Sequence, residues 1–386
     1  MEAMTVLADS QITGAVQAAE RILAARAGSA VSLADPEDLG GSGRTEVVRV
    51  RVAQNPFSGD RTLVIKVLGD GDDAESSEAF IREVASYKYA TALPLESRPG
   101  PQLIAFDLSA RVLVLSDLGD GRSMTELLGS DDRAATSNAV SAWGQALGRM
   151  HAATVGGEGD FAALLRQGAA GIAVDALRAQ FEAAVSAAPR VIADTFGLTV
   201  DPEVLDALGK ARALFGEGEH RAFSPSDVGP ENILINDEGV QFMDYEWGGF
   251  RDASLDIAYA LVTFRPWLAA DNAARIVELE TAMLDAWRSE VQGIWPSLGS
   301  DRELARKAVL ARLAWVWLST VWMLPADETD VGASDEPHGL AISTSDPRVI
   351  VDRWAGLADA ARRAEAPNLA QFADTVGQAL DSSWLH

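Results

Sequence analysis

Apolar and polar positions change rhythm twice along the chain. Residues 11–28 carry helical spacing and are followed by a Gly/Ser/Asp-rich stretch, "DPEDLGGSGRTE". The next segment, "VVRVRVA", alternates: Val48, Val50 and Val52 share one face, and Arg49 and Arg51 the other. That period of two predicts a strand. Turn residues "QNPFSGD" separate it from a second apolar strand, "RTLVIKVL", so 46–68 reads as a hairpin. A helix is expected from about Glu78 to Ala92, followed by two strands around "PQLIAFDL" and "RVLVLSDL".

After Asp117 helical spacing takes over, in "AATSNAVSAWGQALGRMHAAT", near 172–192 and 202–215, and in nearly everything beyond 253. A strand-rich part followed by a helical part predicts an α+β protein divided near 117–121. One β-island interrupts the helices: "ENILINDEGVQFMDYE", two short strands about the turn Asn236–Gly239. Short strands with polar ends, set between helices, often present a site.

Composition narrows the function classes. The chain has 386 residues, a formal net charge of −25 and no cysteine. Disulfides, thiolate metal sites and a cysteine nucleophile are excluded. Strong negative charge argues against nucleic acid and anionic membrane as main partners. The apolar run Leu313–Pro325 is shorter than the roughly 18 residues that cross a bilayer, and reads as a buried helix. The N-terminal stretch has early acids and no basic segment before an apolar core, so no signal peptide is expected, and the reading is cytoplasmic.

The chemistry begins with Lys66, one of four lysines, inside the apolar "LVIKVL". A buried ammonium costs several kcal/mol unless paired. Glu83 on the following helix is the best placed partner, with Glu78 second; a snorkelling lysine on an edge strand is the plain alternative. Farther on, "FSPSDVGPENILINDEGVQFMD" sets Asn232 five positions after Asp227 and Asp244 one β-turn later. A loop aspartate can take the proton of an attacking hydroxyl. An amide and a second aspartate supply the hard oxygen ligands that magnesium prefers. Asx-turn chemistry explains any one of these residues, but not the ordered set. No G-x-x-x-x-G-K-[ST], H-E-x-x-H or G-x-S-x-G motif is present, and the four histidines are scattered.

With these residues set out, "SDVGPENILINDEGVQFMDYEWGGFRDASLDIA" resembles the core of the aminoglycoside-phosphotransferase and choline-kinase-like enzymes. The resemblance covers about residues 38–260 and is strongest over 224–260. It implies a bilobal protein-kinase-like fold. A small β-rich N-terminal lobe, 1–117, would bind nucleotide, and a larger, mainly helical lobe, 118–386, would bind substrate. It implies ATP and Mg2+ as cofactors and a small hydroxylated molecule as acceptor. Asp227 would be the catalytic acid–base group. Asn232, Asp244 and Glu246 would be metal ligands, with Lys66 and Glu83 at the nucleotide phosphates. Gly41, Ser42 and Gly43 would lie in a phosphate-covering loop, and Ser116, Asp117 and Leu118 at the adenine. Asp256 would brace the catalytic loop, and His151 would pack rather than react.

The sequence also departs from that family. Pro225 stands where histidine is usual, Ser226 where glycine is usual, and Gly229 where a side chain would lie near the transferred phosphate. Three readings follow: a small-molecule kinase, a nucleotide-binding pseudokinase acting through partners, and a non-catalytic helical interaction protein. The tryptophans Trp315 and Trp322 share a helix face with Leu318 and read as core. The acidic loop 325–339 reads as solvated.

Overall fold

The computed structural model describes residues 2–41, 45–54, 61–69, 74–324 and 340–385. Their contacts form two compact units, one of 1–121 with 160–172, the other of 122–159 with 173–386. This differs from the two contiguous segments expected, 1–117 and 118–386. The difference is a helix that returns to the first unit, and its apolar contacts there say why.

The first unit is built from α1 (Glu2–Ala27), β1 (Ser32–Gly40), β2 (Thr45–Gln54), β3 (Thr62–Leu68), α2 (Ala74–Thr91), β4 (Leu103–Asp107) and β5 (Val112–Ser116). The strands form one antiparallel sheet in the order β1-β2-β3-β5-β4. Ala15, Ala18, Ala19 and Leu23 recur at helical spacing on α1 and share a core with Val48, Val50, Leu63, Ile65, Val112 and Val114. Each valine, leucine or isoleucine sealed in this way contributes roughly 1.5–3 kcal/mol. Strand side chains alternate, so the burial of Leu63 and Ile65 in this core puts Val64 and Lys66 on the opposite face of the sheet.

The helix that returns is α5 (Glu158–Gly168). Phe161 meets Tyr89 edge-on at 5.8 Å between ring centroids. A Cβ on Gly168 would lie 2.3 Å from a methyl of Ile81, so only glycine lets the end of α5 close on α2. Strand β1 is the element that hydrophobic patterning missed. It falls on "DPEDLG", read from sequence as an irregular, glycine-rich stretch. It is an edge strand, exposed over most of its length, with register shifts against β2 and a positive φ of 51° at Asp35. With only Leu33 buried there is no alternation to detect.

The second unit begins with β6 (Arg122–Ser123), α3 (Met124–Leu128) and α4 (Arg133–Thr154), and continues after α5 with α6 (Leu177–Phe196) and α7 (Pro202–Gly216). Four short strands follow, β7 (Arg221–Ser224), β8 (Ile233–Asn236), β9 (Gly239–Phe242) and β10 (Gly249–Asp252). Then come α8 (Ser254–Thr263), α9 (Ala270–Ala273), α10 (Ile276–Val291), α11 (Asp301–Met323), α12 (Pro347–Arg363) and α13 (Pro367–Trp384). Helices α4 and α10 cross closely at glycines: a Cβ on Gly144 would lie 2.3 Å from the Met283 carbonyl oxygen. The apolar run expected as a buried helix is the second half of α11. Its Trp315 and Trp317 are fully buried, and their indole N–H groups donate to the carbonyls of Leu255 at 2.7 Å and Ala184 at 2.9 Å. Trp322 is half-buried. Among the described residues no helix is long and apolar enough to cross a membrane.

Candidate functional site

In the first unit, Lys66 sits on the face of β3 away from α1, and Glu83 on α2. Lys66 Nζ donates to Glu83 Oε1 at 2.7 Å, with 12% and 3% of their side chains exposed. The sequence-expected pair is formed, while Glu78 is exposed. Removing either partner would strand a mostly buried charge, a loss of about 3–5 kcal/mol. At the end of β5, Ser116 N–H is committed to the Gln102 carbonyl at 2.9 Å, and Ser116 Oγ accepts from Gln102 N–H at 2.9 Å. Asp117 accepts from the Gly119 N–H at 3.0 Å and pairs with Arg49 at 3.0 Å. Burial pushes the Asp117 carboxyl pKa up, but these bonds, with one to Thr62, outweigh it and leave it below the ordinary value. Leu118 follows directly and is half-buried. Gly41 is exposed, and a Cβ there would run into the Thr45 carbonyl. Ser42 and Gly43, the rest of the expected phosphate-covering loop, lie outside the described residues, as does the acidic loop 325–339.

In the second unit, β7 pairs antiparallel with β10, Ser224 opposite Gly249. The chain leaves β7 through Pro225 and enters a short 3-10 turn, Pro230–Asn232. Asn232 binds the loop from two sides. Its side-chain nitrogen donates to the Asp227 carbonyl at 3.1 Å, and its backbone carbonyl accepts from Met243 N–H at 2.9 Å. The acid, the amide and the strand leading to Asp244 are thereby one assembly. Asp244 itself has a left-handed backbone, φ 61°. Holding a non-glycine residue there costs about 1 kcal/mol or more, and such costs gather at functional sites.

Ser226 occupies the place read as unusual, and it also has a left-handed backbone, φ 75°. Its hydroxyl meets the strain: Oγ donates to the Trp247 carbonyl at 2.8 Å and accepts from Arg251 Nη1. Arg251, fully buried on β10, also donates to Trp247 O at 3.0 Å and pairs with Asp175 at 3.1 Å. Below the loop, Ser224 Oγ donates to Asp256 Oδ1. His151 Nε2 lies 3.1 Å from Asp256 Oδ2, and Trp287 Nε1–H donates to His151 Nδ1 at 3.0 Å. An indole can only donate. His151 Nδ1 is therefore the acceptor, and Nε2 carries the proton given to Asp256. His151 is wholly buried, inside a brace rather than beside open chemistry.

Asp227 is 4% exposed. Its carboxylate accepts from Tyr259 Oη–H, and from the Ala341 N–H at 3.2 Å to Oδ1 and 3.1 Å to Oδ2. Burial pushes its pKa up to about 7. The Tyr259 and Ala341 bonds pull it down, and the Asp244 and Glu231 charges push it up further. A carboxyl poised near neutrality is suited to general acid–base work. Asn232, Asp244 and Glu246 are half-buried and offer oxygen donors, a set that fits a hard cation. Glu246 Oε1 also accepts from Trp247 Nε1–H at 3.1 Å.

No protein-family model matches the chain, and no curated protein matches it. Solved structures do resemble it. A choline/ethanolamine kinase family protein from Mesorhizobium loti has 15% identity over 88% of this chain and 92% of its own, with a TM-score of 0.47. Choline kinase from Cryptosporidium parvum has 11% identity over 90% and 93%, with a TM-score of 0.47. A thermostable mutant of aminoglycoside phosphotransferase APH(4)-Ia has 15% identity over 92% and 99%, with a TM-score of 0.37.

Sequence reasoning missed Arg251, Tyr259 and Ala341. For Tyr259 a signal existed: in the apolar "SLDIAYALVTF" it is a polar-tipped residue three positions after Asp256, on the same side of a helix. For Ala341 there was none, because its contact with Asp227 spans 114 positions.

Proposed function

We propose that this protein is an ATP- and Mg2+-dependent phosphotransferase that moves the γ-phosphate to a hydroxyl of a small molecule. The observation that carries the reading is the loop assembly, in which Asn232 ties Asp227 to the strand that delivers Asp244. The Lys66–Glu83 pair supports it independently, since a strand lysine oriented by a helix carboxylate is suited to gripping nucleotide phosphates. The acceptor hydroxyl oxygen forms a bond to the γ-phosphorus, the bond from that phosphorus to the β-γ bridging oxygen breaks, and ADP leaves. Asp227 orients the hydroxyl and takes its proton. Lys66 holds the α- and β-phosphates, and backbone groups around Asp117 and Leu118 receive the adenine. Asn232 and Asp244, with Glu246, would hold magnesium, which when bound offsets charge on the phosphates. Positioning and fixed charge supply most of the acceleration in such transfers.

The expected outcome for Asp227→Asn is retained stabilisation by MgATP in a thermal-shift assay, with transfer reduced about a thousandfold or more. A screen of ATP consumption over sugars, aminoglycosides, choline-like alcohols and related hydroxylated compounds supplies the acceptor for that measurement. Undiminished turnover in the variant would rule out the role given to Asp227. A second reading, a nucleotide-binding protein without turnover, is favoured by one observation, the closed environment of the Asp227 carboxylate. It expects MgATP stabilisation and no consumption with any acceptor.

A further inference from the structure

The carboxylate of Asp227 has two oxygens, and the second unit supplies a partner to each. Tyr259 Oη–H donates to Oδ1, and the Ala341 N–H is shared between Oδ1 and Oδ2. These partners come from distant places, α8 and the segment Leu340–Ser343, which runs just ahead of α12. That segment is anchored as well as apposed. Leu340 and Ile342 are buried, 3% and 0% exposed. Ile342 N–H donates to Tyr259 Oη at 2.9 Å, so one hydroxyl ties the carboxylate and the segment together. Arg353 Nη1, from α12, donates to the Ile342 carbonyl at 2.7 Å. Burial holds the Arg353 pKa down to about 10, so the guanidinium stays charged near neutrality and the anchor persists.

Gly229 suits the fit. A Cβ there would come within 3.2 Å of the Ala341 methyl and of a Glu231 carboxylate oxygen, and 3.5 Å of the Tyr259 ring. A side chain two residues after Asp227 would press on the segment, which would have to give by a few tenths of an ångström. The glycine that the sequence offered as a departure is the space into which Ala341 settles.

We propose that Leu340–Ser343 is a strap across the acceptor side of Asp227, latched by Tyr259 and Arg353, and that it must leave before a hydroxyl can be positioned. The inference rests on Asp227 being the proton-accepting group. A hydroxyl giving its proton to this carboxylate needs an oxygen lone pair and a path to it. Tyr259 Oη–H and the Ala341 N–H together engage both oxygens, and at 4% exposure the residue lacks the path. The strap's amide occupies the place of the acceptor's O–H, which makes it an internal competitor with the acceptor rather than with nucleotide. The charged and titratable groups around the carboxylate are Asp244 and Glu231 on the loop and its following strand, Tyr259 on α8, and Arg353 on α12 facing Tyr259.

The test compares the full chain with two variants on different elements, Ile342→Gly, which removes the strap's apolar anchor, and Arg353→Leu, which removes its tie to α12. One readout is independent of turnover, amide hydrogen exchange at positions 341 and 342. The strap expects both amides to be protected in the parent, and protection to fall about tenfold or more in each variant. Open-chain exchange in the parent overturns the strap. With an acceptor supplied by the ATP-consumption screen, the KM for that acceptor should fall in both variants while the KM for MgATP stays put. An acceptor KM unchanged in variants that have lost protection also overturns the strap. No consumption with any acceptor in all three proteins, with exchange as expected, overturns the phosphotransfer reading alone.

Discussion

Asp227 is a side chain whose surroundings set its proton affinity. Burial is the largest influence, and it places the carboxyl near neutrality. Two consequences follow, of opposite sign. Proton acceptance needs the ionised form, so turnover at saturating MgATP should climb with pH and then level, with a midpoint below about 7 because the carboxyl is uncovered when the strap leaves. A rate profile between about pH 5 and 8 checks this. Stability runs the other way. An unfolded aspartate ionises near 3.9 and the folded one near 7. The stabilisation tied to the protonated form is therefore complete below about pH 4 and is lost as pH rises through 7. Asp227→Asn should relieve that loss, with a melting-temperature gain over the parent that is larger at about pH 8 than at about pH 5. Urea denaturation at the two pH values should put the difference on the order of a few kcal/mol.

Elements show which parts of the molecule could be read in advance. The β2–β3 hairpin was legible because Val48 and Val50 alternate with arginines, and because Asn, Pro and Gly punctuate the turn. Lys66 was legible because an ammonium in an apolar strand needs a carboxylate, and the next helix carries one at a suitable place. Strand β1 was not legible, since an exposed edge strand with bulges has no period. The strap was not legible either, since backbone amides carry no sequence signature. Helix packing adds a prediction of its own. Gly144 lets α4 meet the backbone of α10, and no flexible side-chain end is available to yield. Gly144→Ala should force the helices apart and cost about 1–3 kcal/mol in chemical denaturation. The Lys66–Glu83 pair lies in the other unit, so nucleotide affinity at that pair is a suitable control.

The whole molecule is dominated by its charge. A net −25 on 386 residues repels itself, and dilute salt leaves that repulsion unscreened. Raising sodium chloride from about 10 mM to about 0.3 M shortens the screening length from about 30 Å to below 8 Å. The melting temperature should rise across that range, as read by calorimetry, and flatten above it. A protein held together mainly by exposed ion pairs would show the reverse. The buried pairs Lys66–Glu83 and Arg251–Asp175 are sheltered from the solvent ions and should persist throughout.

The left-handed backbone of Ser226 bears on how a loop of this kind is recognised in sequence. A letter-by-letter pattern that requires histidine and glycine before the aspartate passes over "SPSD". What this chain does carry is a positive φ directly before the acid and another at the aspartate that closes the following hairpin. A glycine at 226 would take up that dihedral without strain. Serine takes it up with two hydrogen bonds through its hydroxyl. Either residue can hold a positive φ at this position, glycine by its backbone freedom and serine with the help of its hydroxyl.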